Sequence, residues 1–365
     1  MLRLEQANPK EGERLIRAAL SIDQRLLPAG DPSTAKAMSA LGQVLEETGS
    51  YQEAVSLLQQ AIKFQSGRTD LAADFSSSVS NLATADFYLG HYPEAEGLDR
   101  QALSVDQKLY GPLHPRVADD LINLGEIEHA LGNEKAAEDF DRRALSIKTS
   151  WYGERHPDTA FCLMVVGQSL VYQKRFEEAY PFVHKSLAIQ EEVFGKSHSR
   201  VAMALSVAGL LEERLGHFDA AERDFLRMAA IHRSTVGDRH QLVGIAMLDL
   251  GQVYIDEKKY TQAQSYIQGA LVRFIEKLPA NHPYAAIARQ KLGAVLVLEQ
   301  KYREAELPLL AAYQTFSKQA PPPADRLAST RKDLANVYEH LHEKEKAAVY
   351  LAALPAQYSK GETEH

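Results

Sequence analysis

Five histidines, His114, His156, His198, His240 and His282, stand 42 residues apart. Imidazole is the commonest metal ligand and general acid–base group, so a metal centre or a proton-transfer site is the first chemistry to consider. The regular spacing argues otherwise. Each histidine occupies the same loop position of a repeating unit, just before a helical stretch, so the spacing belongs to the architecture and the role is helix capping. Gly195-Lys196-Ser197 has the ending of a phosphate-binding loop. That motif needs a glycine five residues before Gly195, where Gln190 stands, and no strand precedes it. His340 and His342 are two apart on a helical stretch and point to different faces, so they cannot share a metal. Cys162, the single cysteine, sits in an apolar helix as a small core or groove residue. With no nucleophile elbow, no Cys/His pairing and no convergent titratable groups, the chain is not expected to be an enzyme.

The elements that carry these residues repeat strictly. Gly42, Ala83, Gly125, Gly167, Gly209, Gly251, Gly293 and Ala335 follow one another at a step of 41 and then 42 throughout. Ala54, Ala95, Ala137, Ala179, Ala221, Ala263, Ala305 and Ala347 keep the same phase, as do the histidines. Within one unit, Pro115 suits a first helical turn, and Val117, Leu121, Leu124, Ile127 and Leu131 recur at the spacing of an amphipathic helix. Gly132-Asn133 ends it. A second helix carries Ala136, Ala137, Phe140, Ala144, Leu145 and Ile147 and stops near Tyr152-Gly153. Glycine within a helix costs about 1 kcal/mol relative to alanine. Its return at one helical position therefore signals close approach of the unit's two helices.

Leu41-Gly42, Gly49-Ser50-Tyr51 and Ala54, with Gly90-His91-Tyr92 and Ala95, and Gly216-His217-Phe218 and Ala221, resemble the tetratricopeptide repeat. The ordinary repeat has 34 residues; the longer unit here, with Tyr110-Gly111-x-x-His114-Pro115 and Tyr152-Gly153-x-x-His156-Pro157, looks like the kinesin light chain subtype. The resemblance implies an all-α, right-handed superhelical solenoid of about eight helical hairpins. Residues 1–30 then form an N-terminal half repeat or cap, residues 31–354 the array, with a Pro321-Pro322-Pro323 loop where two repeats meet, and residues 355–365 a polar tail. The sequence shows no domain boundary.

In that family the first helices line a concave groove. Ligand-facing positions fall three before the aligned small residue and one, four and five after it. These rows give Ser80, Thr84, Phe87 and Tyr88; Ile122, Glu126 and His129; Met164, Gln168, Val171 and Tyr172; Ser206, Leu210, Glu213 and Arg214; and Leu248, Gln252, Ile255 and Asp256. Asn81 and Asn123 match an asparagine that holds peptide backbone in kinesin light chains, whereas Val165, Val207 and Asp249 depart from it. Lys332 and Asn336 carry only part of a carboxylate clamp, with no following repeat to complete it. Amides suit an extended backbone, and Tyr, Phe, Met and Val suit apolar anchors.

The balance of 45% hydrophobic and 25% charged residues in 365, with a formal net charge of -8, supplies a core and argues against nucleic acid or a polybasic membrane surface. No apolar run is long enough to span a bilayer, and the cysteine usage suits a reducing cytoplasm. The function expected is non-enzymatic binding of a protein or peptide segment, without cofactor or metal. Two alternatives are the recognition part of a larger regulator and an architectural solenoid that self-associates through its ends.

Overall fold

The computed structural model describes residues 9–28, 30–279, 281–319 and 322–354. The polar tail, the first residues of the N-terminal cap and Pro321 lie outside them. Among the described residues the regular structure is seventeen α-helices and one short 3-10 turn, Thr69–Leu71.

The chain falls into two compact units, Met1–Val207 and Ala208–His365. Unit 1 holds α1 (Pro9–Leu26), α2 (Pro32–Glu47), α3 (Tyr51–Gln65), α4 (Ala72–Leu89), α5 (Tyr92–Tyr110), α6 (Pro115–Ala130), α7 (Glu134–Tyr152), α8 (Pro157–Tyr172) and α9 (Phe176–Phe194). Helix α10 (Ser199–Arg214) begins in unit 1 and ends in unit 2. Unit 2 continues with α11 (Phe218–Val236), α12 (Gln241–Asp256), α13 (Tyr260–Lys277), α14 (Pro283–Leu298), α15 (Tyr302–Phe316), α16 (Ala324–His340) and α17 (Lys344–Ala352). From α2 onward, even-numbered helices are the first and odd-numbered the second of each hairpin.

The five phased histidines are N-caps. Nδ1 of His114, His156, His198 and His240 each accepts from the backbone N–H two residues on at 3.2 Å, and His282 does so at 3.1 Å. One of the unsatisfied donors of each helix start is thereby met. The hairpin turns need one left-handed residue each. Gly49, Gly90, Gly132 and Gly216 supply it without a Cβ penalty, while Lys174, Lys258, Gln300 and His342 adopt it at φ of 61 to 62°.

The helical glycines mark the tightest packing. A Cβ on Gly42 would come within 2.7 Å of Leu58, on Gly167 within 2.6 Å of Val183, on Gly209 within 2.8 Å of Phe225 and on Gly251 within 2.5 Å of Ile267. Each meets a knob from the second helix of its own hairpin, four residues after the aligned alanine. Any side chain at the glycine would force the helices apart. Cys162 is wholly buried, and burial pushes its thiol up to about 12. It is a packing residue, inert as a nucleophile.

In unit 1, α2 touches α4, α4 touches α6, and α6 touches α8; in unit 2, α12 touches α14, and α14 touches α16. The second helices of successive hairpins do not approach one another to the same degree. The first helices therefore form the inner wall of each unit. No described helix is long and apolar enough to cross a membrane.

Candidate ligand-binding face of the first helices

Successive first helices repeat the same side-chain rows at the same height, so residues distant in sequence become neighbours across the inner wall. In unit 1, Thr84, Glu126 and Gln168 follow the aligned small residue by one. Thr84 Oγ1 donates to the Ser80 carbonyl at 3.2 Å. Gln168 is half-buried, and Glu126 is exposed. Glu126 is also hemmed in by surrounding protein, which raises its pKa, while His129 pulls the other way.

The aromatic residues pair. Tyr88 stacks on Tyr51 with ring centroids 4.9 Å apart, and Phe87 lies edge-on to Tyr88 at 5.5 Å. Tyr172, 39% exposed, packs its ring 3.9 Å from that of His129. Nδ1 of His129 stands 2.8 Å from Glu134. Asn123 Nδ2 donates to Ser80 Oγ at 3.1 Å and lies 3.4 Å from Asp99 Oδ1. Its amide is thus engaged within the wall, and Asn81 is half-buried one helix earlier.

Five expected contact residues, Ile122, Met164, Val171, Glu213 and Leu248, offer almost no surface. Met164 and Val171 are 5% and 2% exposed and belong to the core. For Val171 and Glu213 the reason is angular. A helix turns about 100° per residue, so the position five after the small residue leans to solvent, as in Tyr172, Arg214 and Asp256, while the position four after it turns inward, as in Val171 and Glu213. Ile122 and Leu248 are buried likewise.

In unit 2, Glu213, Arg214, Asp249, Gln252, Asp256 and Lys291 come together from α10, α12 and α14. Lys291 Nζ donates to Gln252 Oε1, and Gln252 Nε2 donates to Asp256 at 2.9 Å. Burial lowers Lys291 to about 8, against the pull of Glu213, Asp249 and Asp256. Burial raises Glu213 and Asp249 to about 7. Lys291 and Arg214, the latter 3.5 Å from Glu213, are the cations of this acidic group.

A cavity of about 290 Å³ opens in unit 1 between the N-terminal halves of α6, α8 and α10, lined by Asp119, Ile122, Lys148, Asp158, Phe161, Arg200 and Met203. Its charges are already matched: Lys148 Nζ lies 2.7 Å from Asp119, and Arg200 2.7 Å from Asp158. Among the described residues no group of three or more His, Cys, Asp or Glu could hold a metal ion.

The tetratricopeptide repeat family model matches residues 1–66, 74–150, 121–179, 163–234 and 242–318. The chain belongs to the tetratricopeptide repeat family. Among solved tetratricopeptide-type structures, a Rap protein complexed with competence and sporulation factor is 16% identical with a TM-score of 0.62, covering 94% of this chain and 97% of that one. BtubC (BKLC) from P. vanneervenii is 20% identical over 63% of this chain and 91% of its own, at a TM-score of 0.45. A putative kinesin light chain from Podosopora anserina with nearly identical repeats is 22% identical over 52% and 91%, also at 0.45. No curated protein matches the chain.

Set in the tetratricopeptide array, the second helices contribute residues that sequence reasoning passed over. The knob row reads Leu58, Asp99, Asp141, Val183, Phe225, Ile267, Leu309. Asp99 and Asp141 are buried in places where the other repeats put an apolar side chain. Burial raises both to about 7. The interruption of that row was a signal present in the repeat alignment. Lys148, Asp158, Arg200 and Met203 had no such signal, because each is an ordinary amphipathic-helix residue until its neighbours are known.

Proposed function

We propose that this tetratricopeptide array is a non-enzymatic scaffold that holds a peptide, or an extended or helical segment of a partner protein, along the inner wall formed by its first helices. The observation that carries this reading is the row of accessible side chains on successive first helices of unit 1. Thr84, Glu126 and Gln168 lie on one line and Tyr88 and Tyr172 on the next, with the His129 ring packed against Tyr172. Such a surface offers hydrogen-bonding groups to a backbone and ring faces to anchor side chains, which is how grooves of this kind recognise segments. The single, inert cysteine keeps a reducing cytoplasm as the compartment in this reading.

The test is capture from source-cell lysate on immobilised wild-type protein and on a Tyr88→Ala, Tyr172→Ala double variant whose helicity matches by circular dichroism. A partner held by the wild type and released by the variant supports the inner wall. A partner held equally by both moves the binding surface elsewhere and ends the reading.

One comparison agrees with this reading: the Rap structure, alike in fold over nearly the whole of both chains, was solved with competence and sporulation factor bound.

A further inference from the structure

The C-terminal ends of the second helices in unit 1 carry an apolar row. Leu109 on α5, Trp151 on α7 and Val193 on α9 stand 42 residues apart at one repeat position. All three are exposed, Trp151 at 56%. The row is confined to these hairpins: one repeat earlier the position holds Arg68, and one repeat later, in unit 2, Thr235. Tyr110, Leu113 and Tyr152 stand beside the row and are exposed as well. A single apolar side chain in solvent is ordinary, whereas several along one edge mark an interaction surface.

The central ring is held in place. Tyr110 stacks on His114 at 4.7 Å, and His114 meets Trp151 edge-on at 5.2 Å. A chain of rings thus ties Trp151 on α7 to α5 and leaves little rotamer freedom for an association to remove. The six apolar residues leave roughly 600 Å² in solvent. The flanking charges bring the edge close to the ~800 Å² that each partner buries in a stable dimer.

The charges choose the occupant. The row one residue earlier reads Lys108, Ser150, Glu192, and all three are exposed. Basic at one end, neutral in the middle and acidic at the other, it is complementary to itself turned end for end. A two-fold axis at Trp151 sets that ring on its own copy, Leu109 on the second copy's Val193, and Lys108 on the second copy's Glu192. The last two contacts occur twice, as an isologous interface requires. Glu192 already pairs with Arg155 on the surface, and a carboxylate has lone pairs for a second cation. A membrane surface calls for a basic flank, and this edge carries Glu154 and Glu192 as well as Lys108 and Arg155.

We propose that this edge of unit 1 is a homodimer interface centred on Trp151, where two copies meet in antiparallel register about a two-fold axis. It uses the ends of the second helices and leaves the first-helix rows of the inner wall open, so it stands apart from the groove reading.

The test is analytical ultracentrifugation of the full chain over a range of concentrations. Trp151 is the only tryptophan, so its emission reports the contact directly. A monomer–dimer equilibrium is expected, with the emission moving to shorter wavelength along the same curve. Trp151→Ser, matched to the wild type by circular dichroism, should be monomeric throughout. Lys108→Glu and Glu192→Lys should each weaken the dimer roughly tenfold or more by setting like charges face to face, and the two combined should restore it. A wild type that stays monomeric at every concentration overturns the proposal; an emission that then shifts only on neutral phospholipid vesicles assigns the edge to a membrane instead. A dimer that survives Trp151→Ser, or a double exchange that restores nothing, overturns it equally.

Discussion

The two units are made from one repeat, and each departs from it in a different layer. In unit 1 three of the four hairpin turns have glycine at the left-handed position, Gly49, Gly90 and Gly132, with Lys174 the exception. In unit 2 only Gly216 does, and Lys258, Gln300 and His342 take φ values near 61° to 62°. The cores run the other way. The knobs of unit 2, Phe225, Ile267 and Leu309, are apolar and fully packed, while unit 1 buries Asp99 and Asp141. A second buried row repeats the trend, with Gln65, Asp106, Lys148 and Gln190 in unit 1, then His232, Phe274 and Phe316 in unit 2. Backbone strain in a turn is local and costs about 1 kcal/mol. A buried charge in the core costs several times that and acts on its surroundings. Unit 1 thus departs from the repeat in its core, and unit 2 in its turns.

The largest expected effect comes from imposing the core of unit 1 on unit 2. Ile267→Asp would bury a carboxylate with no serine or asparagine to meet it, and should cost about 4 kcal/mol or more, read by urea denaturation. Survival of that variant at wild-type stability would break the comparison.

Next come the glycine gaps, which are equally tight in both units. Gly167→Leu and Gly251→Leu should each destabilise by about 3 kcal/mol or more through overpacking. Unlike penalties would show that the two cores relax differently.

The reverse exchange in unit 1 should stabilise. Asp141→Leu recreates the pair that Leu58 makes with Gly42, and should add about 1–2 kcal/mol at alkaline pH. The same acids give unit 1 a pH dependence. Burial holds Asp99 and Asp141 near about 7 and Asp120 near about 8, the last with help from Asp106, Asp99 and Asp119 and against Arg116. In the unfolded chain they titrate near ~3.9. Between those values the folded state keeps protons that the unfolded chain has released. Stability should therefore fall as pH rises from about 4 to about 8, then level off. Thermal melts across that range should show a shallower slope in Asp141→Leu; an unchanged slope would mean Asp141 is ionised at neutrality.

The smallest effect lies in the turns. Lys258→Gly or Gln300→Gly should gain about 1 kcal/mol by relieving the left-handed backbone, whereas Gly132→Ala in unit 1 should lose a similar amount.

The fold was legible because the repeat writes it many times. The small-residue row, the alanine row and the histidines share one phase, and each has one physical cause: close approach, helix packing and N-capping. The candidate face was legible only as a stripe. Met164 and Val171 read as contact residues because an apolar side chain at a groove position looks the same in sequence whether it turns toward a ligand or toward the next helix. Asp99 and Asp141 could be seen as breaks in an apolar row. Their polar partners could not, because Asn123 and Ser169 reach them only once the neighbouring first helices are packed.

The histidine caps have a mechanical side. At three joints of unit 1 the capping ring also stacks on the aromatic residue four before it, which ends the preceding helix: Tyr110 on His114, Tyr152 on His156 and Phe194 on His198, at 4.3 to 4.7 Å. At His240 in unit 2 the residue four before is Val236. That joint is tied instead by Asp238, which lies 3.1 Å from Arg233 and 2.7 Å from Arg273 on the surface. Ring stacks are indifferent to electrolyte, and exposed ion pairs are not. The joint at His156 carries exposed pairs as well, Arg155 with Glu192 and Lys185 with Glu154, in addition to its ring stack. Force spectroscopy of the chain should therefore find the joint at His240 softening most with ionic strength, the one at His156 less, and those at His114 and His198 least.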